Sequence, residues 1–275
     1  MKHFSIIAFH IYALRMEDNP WSEMSWGIDQ EVPLRGSPFK NRCSHKGTSL
    51  ISFHMLNLVE RRSMMGDLIL KSGDKIVFIG DSITDCGRRK EFPPLGNGYV
   101  FIAHNLTTVQ YPERDILWVN KGISGDTVEG LVRRWDEDVI NEKPNWVSIY
   151  IGINDVARNK NSNRDLEDLL RNFEEPYRQI LNRTKREIKA GIIMFDVFYV
   201  ASEDVAKRGF DVSRYNKIIH SLAKEYGAIL VETDAAFQDA VKKRPNSQWT
   251  TNDGVHPSPL GHTLIALNFL KSIGW

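Results

Sequence analysis

The chain has 275 residues, of which 41% are apolar and 26% charged, and its net charge is +1. That length suits one α/β domain with a substantial core, and the near-zero charge excludes a global field for nucleic acid or anionic membrane. Two cysteines, Cys43 and Cys86, exclude a disulfide framework and a cysteine-built zinc cluster; both are expected as free thiols in a cytoplasmic setting.

No stretch approaches the roughly 20 apolar residues of a membrane helix, so no membrane partner is expected. The start, Lys2 to Leu14, carries one lysine and an apolar run broken by His10. It lacks a small-x-small cleavage site, which weighs against a secretory signal. Trp21, Trp26, Pro20, Pro33 and Pro38 are scattered without helical or strand period, and only Leu50 to Val59 hints at a helix. Residues 1–64 are therefore expected to be a poorly patterned extension, and 65–275 the folded domain.

From residue 66 onward apolar runs alternate with amphipathic stretches. Strands are predicted at Lys75–Ile79, Ile116–Val119, Trp146–Ile151, Gly191–Val197 and Ala228–Val231. Helices are predicted at Gly98–Thr107, Thr127–Asn141, Arg164–Thr184, Val212–Tyr226, Ala235–Lys243 and Pro259–Ile273, with Pro176 expected to kink the third. Strand-helix alternation with short links implies a three-layer α/β/α sandwich around a five-stranded parallel sheet, flavodoxin-like in strand order.

Three short blocks directly follow predicted strands. They are Gly80-Asp81-Ser82, Asn120-Lys121-Gly122-Ile123-Ser124-Gly125 and Gly152-Ile153-Asn154-Asp155. In a parallel sheet all three emerge on one edge, where open α/β sheets bind their ligands. A fourth block, Asp253-Gly254-Val255-His256-Pro257, precedes the last helix. Singly each is a turn signal; together they fit acyl transfer. A serine hydroxyl is a weak nucleophile until a base takes its proton, and imidazole titrates in the right range. Ser82 is the candidate nucleophile and His256 the candidate base. Asp253, three residues before His256, can fix the tautomer and stabilise the imidazolium. The oxyanion of a tetrahedral intermediate needs preorganised donors, which the Ser82 amide, the Gly125 amide and the Asn154 side chain can supply. Gly125 lacks a Cβ and allows close approach; Asn154 donates without charge.

Other patterns are set aside. No Gly-x-Ser-x-Gly elbow occurs, and Gly96-Asn97-Gly98 has Phe101 where a dinucleotide fingerprint needs its third glycine. Asp253 and His256 are too few ligands for a metal, so no metal and no cofactor is expected. Ser124 has no assigned base, and Cys86 reads as a packed thiol. Trp118, Trp135 and Trp146 read as core.

The four blocks match, residue by residue, those of the SGNH (GDSL) hydrolase family, which the chain resembles over residues 66–275. The runs Gly80 to Arg88, Asn120 to Gly125, Arg134 to Val139 and Lys143 to Ile149 are similar to its acetylxylan-esterase branch. The resemblance implies an SGNH hydrolase fold and a catalytic triad of Ser82, Asp253 and His256, with Ser82, Gly125 and Asn154 as oxyanion donors. It implies a cofactor-free serine esterase that removes acetyl groups from xylo-oligosaccharides or related sugars. Asp81, Ala157 and Tyr199 are the candidate substrate contacts. The branch carries Trp where this chain has Ala157, ahead of Arg158, which opens the acyl and sugar preference. The partner is a small-molecule or oligosaccharide ester, and a homo-oligomer is compatible with this reading. The enzyme alternative is a lysophospholipase or thioesterase acting on longer acyl chains. The non-enzyme alternative is a sugar- or nucleotide-binding module, against which the intact Ser82, Asp253 and His256 set argues.

Overall fold

A computed structural model describes residues 67–159, 163–200 and 211–275. The expected extension, residues 1–64, and Cys43 lie outside the described residues. Just before the first strand, Leu68 and Leu70 are buried, and Ile69 N–H donates to the Ile273 carbonyl at 2.9 Å. Arg114 Nη1 donates to the carbonyls of Leu68 and Leu70 at 2.8 and 2.7 Å.

Five strands form the sheet: β1 (Lys75–Gly80), β2 (Leu117–Asn120), β3 (Trp146–Tyr150), β4 (Gly191–Phe195) and β5 (Ile229–Val231). All pairings are parallel, in the order β2-β1-β3-β4-β5. This is the expected flavodoxin-like order. Its topological switch lies beside β1, because β2 and β3 flank β1 on opposite sides. The strand sequences are near-continuous apolar runs because both faces of the sheet are covered by helices.

The helices are α1 (Ser82–Asp85), α2 (Tyr99–Gln110), α3 (Val128–Trp135), α4 (Ile153–Asn159), α5 (Leu166–Arg183), α6 (Ser213–Tyr226), α7 (Thr233–Lys243) and α8 (Pro259–Ser272). In one layer α3 packs on α5 and α5 on α6; in the other α2 packs on α8 and α8 on α7. Successive strand residues point to opposite faces. Phe78, Tyr150 and Phe195 therefore share the face that meets Tyr99 of α2 and Phe269 of α8. Tyr150 and Phe195 stack at 4.7 Å between centroids, and Phe78 stacks on Trp118 at 5.1 Å. Trp118 and Trp135 are buried and Trp146 packs against the core, as expected of all three.

Local departures have local causes. The second and third predicted helical stretches, Thr127–Asn141 and Arg164–Thr184, end differently: α3 and α5 each continue into a π-helical turn, Asp136–Ile140 and Thr184–Ile188. Helix α5 runs through Pro176 as one element. The first and third motif blocks, expected as turns, are the entries to two short helices, α1 and α4. Four and seven residues are too few to show a hydrophobic period.

Candidate active site

Strand β1 delivers Ser82 to the switch-point edge. Beyond Gly80 the chain turns into α1, and the Asp81 carboxylate caps it by accepting from Ile83 N–H at 3.0 Å. Ser82 is the first residue of that helix, so its N–H has no intrahelical acceptor. Its Oγ lies 2.8 Å from His256 Nε2, across 174 residues of sequence.

His256 comes from the turn before α8. Pro259 opens that helix, and Ser258 caps it by accepting from Gly261 N–H at 3.2 Å. Ahead of the cap, Thr251 N–H donates to the His256 carbonyl at 2.8 Å, and Val200 N–H donates to the Gly254 carbonyl at 3.0 Å. Inside the turn, His256 Nδ1 contacts Asp253 Oδ2 at 2.6 Å. The N–H groups of Val255 and His256 and the Thr251 hydroxyl all donate to Asp253 Oδ1 at 2.9 Å. Partial burial works to raise the Asp253 pKa. The imidazole and these donors outweigh it and hold the carboxyl well below the usual carboxylate range. An ionised Asp253 assigns the proton to Nδ1 and leaves Nε2 to accept from the Ser82 hydroxyl.

Gly125 sits on the loop after β2 with φ of +81°, a conformation that favours glycine. The loop is stitched to α1 by Asp85, whose Oδ2 accepts from Ser124 N–H at 3.1 Å and Ser124 Oγ–H at 3.0 Å. Ser124 is thus tied to a carboxylate, with no histidine contact among the described residues to make it a competing nucleophile. Asn120 holds the same junction: its Nδ2 donates to Thr84 O at 2.7 Å and its Oδ1 accepts from Gly122 N–H at 2.9 Å. Asn154 sits in the first turn of α4, and its Nδ2 donates to Asp126 O at 2.9 Å. The second N–H of that amide remains to serve a ligand.

The three candidate substrate contacts fare differently. Asp81 is 1% exposed, so its carboxyl faces the interior and caps α1 instead of meeting substrate. Tyr199 is buried within the hydrophobic core, so its ring is no open pocket wall. Ala157 is exposed. Its neighbour Arg158, a residue the motif reading passed over, donates through Nη2 to the Gly125 carbonyl at 2.9 Å. The signal was present in the sequence: Arg158 follows Asn154 by one helical step of four, so both side chains share a face. Cys86 has a neighbour the sequence did not reveal. Its thiol donates to Asn97 Oδ1 at 3.0 Å and lies 3.4 Å from His262 Nε2. His262 Nδ1 accepts from Tyr99 N–H at 3.2 Å. Burial lowers the His262 pKa to about 4 and pushes the thiol's up, so this pair is neutral and unreactive. Among the described residues no group of three or more His, Cys, Asp or Glu could hold a metal ion. No helix among them is long and apolar enough to cross a membrane.

Asp155 closes the third block. It is buried, and both its oxygens lie 3.3 Å from Val128 N at the start of α3. Burial is the largest influence and raises its pKa to about 7, against the lowering pull of Val128 N–H. Burial likewise raises Asp81 to about 7.

The family model described as the GDSL-like lipase/acylhydrolase family matches residues 78–264. A protein described as an acetylxylan esterase, from Geobacillus stearothermophilus, is 41% identical over 211 residues, covering 74% of this chain and 95% of the relative. The crystal structure of Axe2, an acetylxylan esterase from the same organism, is similar with a TM-score of 0.66 at 40% identity, covering 75% of this chain and 97% of that one. Three variants of Axe2, at a serine, an aspartate and a histidine three residues after that aspartate, are described as catalytic mutants. LAE5, described as an α/β hydrolase enzyme from the metagenome of Lake Arreo, Spain, has a TM-score of 0.66 at 30% identity, covering 75% of this chain and 98% of its own.

The raised Asp155 pKa predicts a pH dependence of stability. The native state holds this proton up to about 7, whereas the unfolded chain releases it near the ordinary aspartate value of 3.8. Its stabilising contribution is complete below the unfolded value and is lost as pH rises through the folded one. Asparagine cannot ionise, so Asp155→Asn should gain stability relative to the parent as pH is raised from about 4 to about 7. Thermal unfolding of both proteins across that range reads the effect; a difference independent of pH would refute it.

Proposed function

The chain belongs to the GDSL-like lipase/acylhydrolase family, and we propose that it is a serine esterase that removes acetyl groups from xylo-oligosaccharides. The observation that carries the chemistry is the continuous relay from Ser82 Oγ to His256 Nε2 at 2.8 Å and from His256 Nδ1 to Asp253 Oδ2 at 2.6 Å. The similarity to an acetylxylan esterase across most of both chains supports the substrate class.

In this reading Ser82 Oγ attacks the acetyl carbonyl carbon while His256 Nε2 takes its proton. Negative charge collects on the former carbonyl oxygen, where the Ser82 and Gly125 N–H groups and the Asn154 amide stabilise it. His256, now an imidazolium held by Asp253, protonates the leaving sugar oxygen as the carbon–oxygen bond breaks. Water then attacks the acetyl-serine with His256 again as base, and acetate leaves as the proton returns to Ser82. Every proton and electron pair is supplied by ester, water and these side chains. The longer-acyl alternative is not favoured, because relatives described as acetylxylan esterases share 39–41% of the sequence.

Ser82→Ala and His256→Ala should each lower kcat/KM on nitrophenyl acetate by about 10³-fold or more, and the double variant should be little worse than either. Additive losses would show that the two do not share a step. Across nitrophenyl acetate, butyrate and octanoate, kcat/KM should fall with length, and acetylated xylo-oligosaccharides should release acetate. An optimum at octanoate would sink the acetyl reading. Ala157→Trp should steepen the fall and tighten oligosaccharide binding by about 1 kcal/mol, the size of one aromatic contact. Identical profiles would mean that residue 157 does not border the substrate.

A further inference from the structure

The block Arg134-Trp135-Asp136-Glu137-Asp138-Val139 plays no part in the chemistry above, although Arg134 bonds chain segments next to Ser82 and Gly125. Its side chain is 13% exposed, and its guanidinium makes four hydrogen bonds at the carboxyl edge of the sheet. Nη2 donates to the Gly80 carbonyl at 3.1 Å, two residues before Ser82. Nη1 donates to the Lys121 carbonyl at 2.6 Å, where the chain leaves β2 for the Gly125 loop. Nε donates to Asp126 Oδ2 at 2.8 Å, on the residue after Gly125. The main-chain oxygen of that same Asp126 accepts from Asn154 Nδ2. Asp138, one helical turn beyond Arg134, accepts from Nη1 at 2.6 Å and sets the head of the guanidinium.

We infer that Arg134 is a positioning residue for the oxyanion site: one planar guanidinium holds together the three chain segments that carry the three donors. Ser82 is reached through Gly80, Gly125 through Lys121 and Asp126, and Asn154 through the Asp126 carbonyl. A fixed fork with five N–H donors can serve such divergent acceptors; an ammonium presents three from one point. A second observation concerns the same arrangement. In helix α3 a Cβ at Gly130 would stand 1.7 Å from Asp126 Oδ1. Glycine is a poor helix former, so this helix carries one in its first turn where the Asp126 carboxylate needs the space. Asp126 Oδ1 also accepts from Thr127 N–H at 3.0 Å, which leaves Oδ2 for Arg134.

A purely structural staple would hold the fold and leave turnover by the folded enzyme intact. Positioning of donors aimed at charge that exists only in the transition state must instead appear in kcat. The inference rests on the esterase reading, and the test separates the two. kcat and KM for nitrophenyl acetate are measured for Arg134→Lys, Asn154→Ala and the double variant, on protein whose folding is checked by thermal unfolding. Arg134→Lys should lower kcat by about 10–100-fold with KM changed less than about twofold. In the Asn154→Ala background the same change should cost at least about threefold less than in the parent, because one of the three donors it positions is gone. Asp126→Ala, which keeps the carbonyl that Asn154 bonds but removes the guanidinium's anchor on the loop, should behave the same way and serves where Arg134→Lys does not fold. Losses that multiply in full when Arg134→Lys or Asp126→Ala is combined with Asn154→Ala overturn the positioning role, as does a KM rising in step with the fall in kcat, or an unchanged kcat. If Asn154→Ala alone leaves kcat untouched, the oxyanion reading fails and takes this inference with it.

Discussion

His256 can serve Ser82 only while the carboxylate three residues before it stays ionised, and the turn around Asp253 secures that. Four donors converge on one carboxyl group: the imidazole, two main-chain N–H groups and a threonine hydroxyl. Each is local in sequence, so the acid and the base form one unit within a single turn. The rest of the fold brings that unit to the right place. The Val200 N–H to Gly254 carbonyl bond ties the turn to the chain just beyond β4, and the Ser258 cap and Pro259 fix where α8 starts.

The same acidic side chain meets opposite fates within this site, and donors set against burial decide which. Asp253 and Asp85 each accept several strong hydrogen bonds, and both are held below the usual carboxylate range although burial opposes it. Asp81 has one backbone donor on its carboxyl and Asp155 only long contacts to Val128 N; burial wins and both rise to about 7. Composition could not separate these four aspartates. Asp81 and Asp155 follow a glycine-containing strand exit, whereas Asp253 draws its donors from its own turn and Asp85 from Ser124 and Arg89.

Much of this was legible in the sequence. All five strands and six of the helices lie where apolar runs and periodic stretches put them; their ends coincide or differ by three residues at most, except that α3 gives way to its π-helical turn before the predicted end at Asn141. The parallel sheet with helices on both faces followed from the strand-helix alternation, and the strand order is the flavodoxin-like one expected. The motif blocks gave the serine, aspartate and histidine because each sits at a strand exit or helix entry marked by glycine or proline. What escaped was non-local. Asp81 is buried at the entry to α1, and a four-residue helix has no period to reveal it. Tyr199 reads as a pocket wall from its place after a strand, yet its ring joins the core. Arg134 and Arg158 look like surface charges on amphipathic helices until the carbonyls they reach, on other segments, are known.

The contact between Ser82 and His256 spans 174 residues, and it is made from the turn that leads into the last helix. Chains are synthesised from the amino end, so Ser82 is made long before His256 exists. Throughout that interval the serine is an ordinary hydroxyl with no base. Docking of α8, where Phe269 meets Phe78 of β1, and arming of the nucleophile are one event. A chain that stalls short of α8, or that loses α8 by partial unfolding, therefore carries no activated serine with which to acylate itself or its neighbours. Catalytic competence in this architecture is a readout of completed folding.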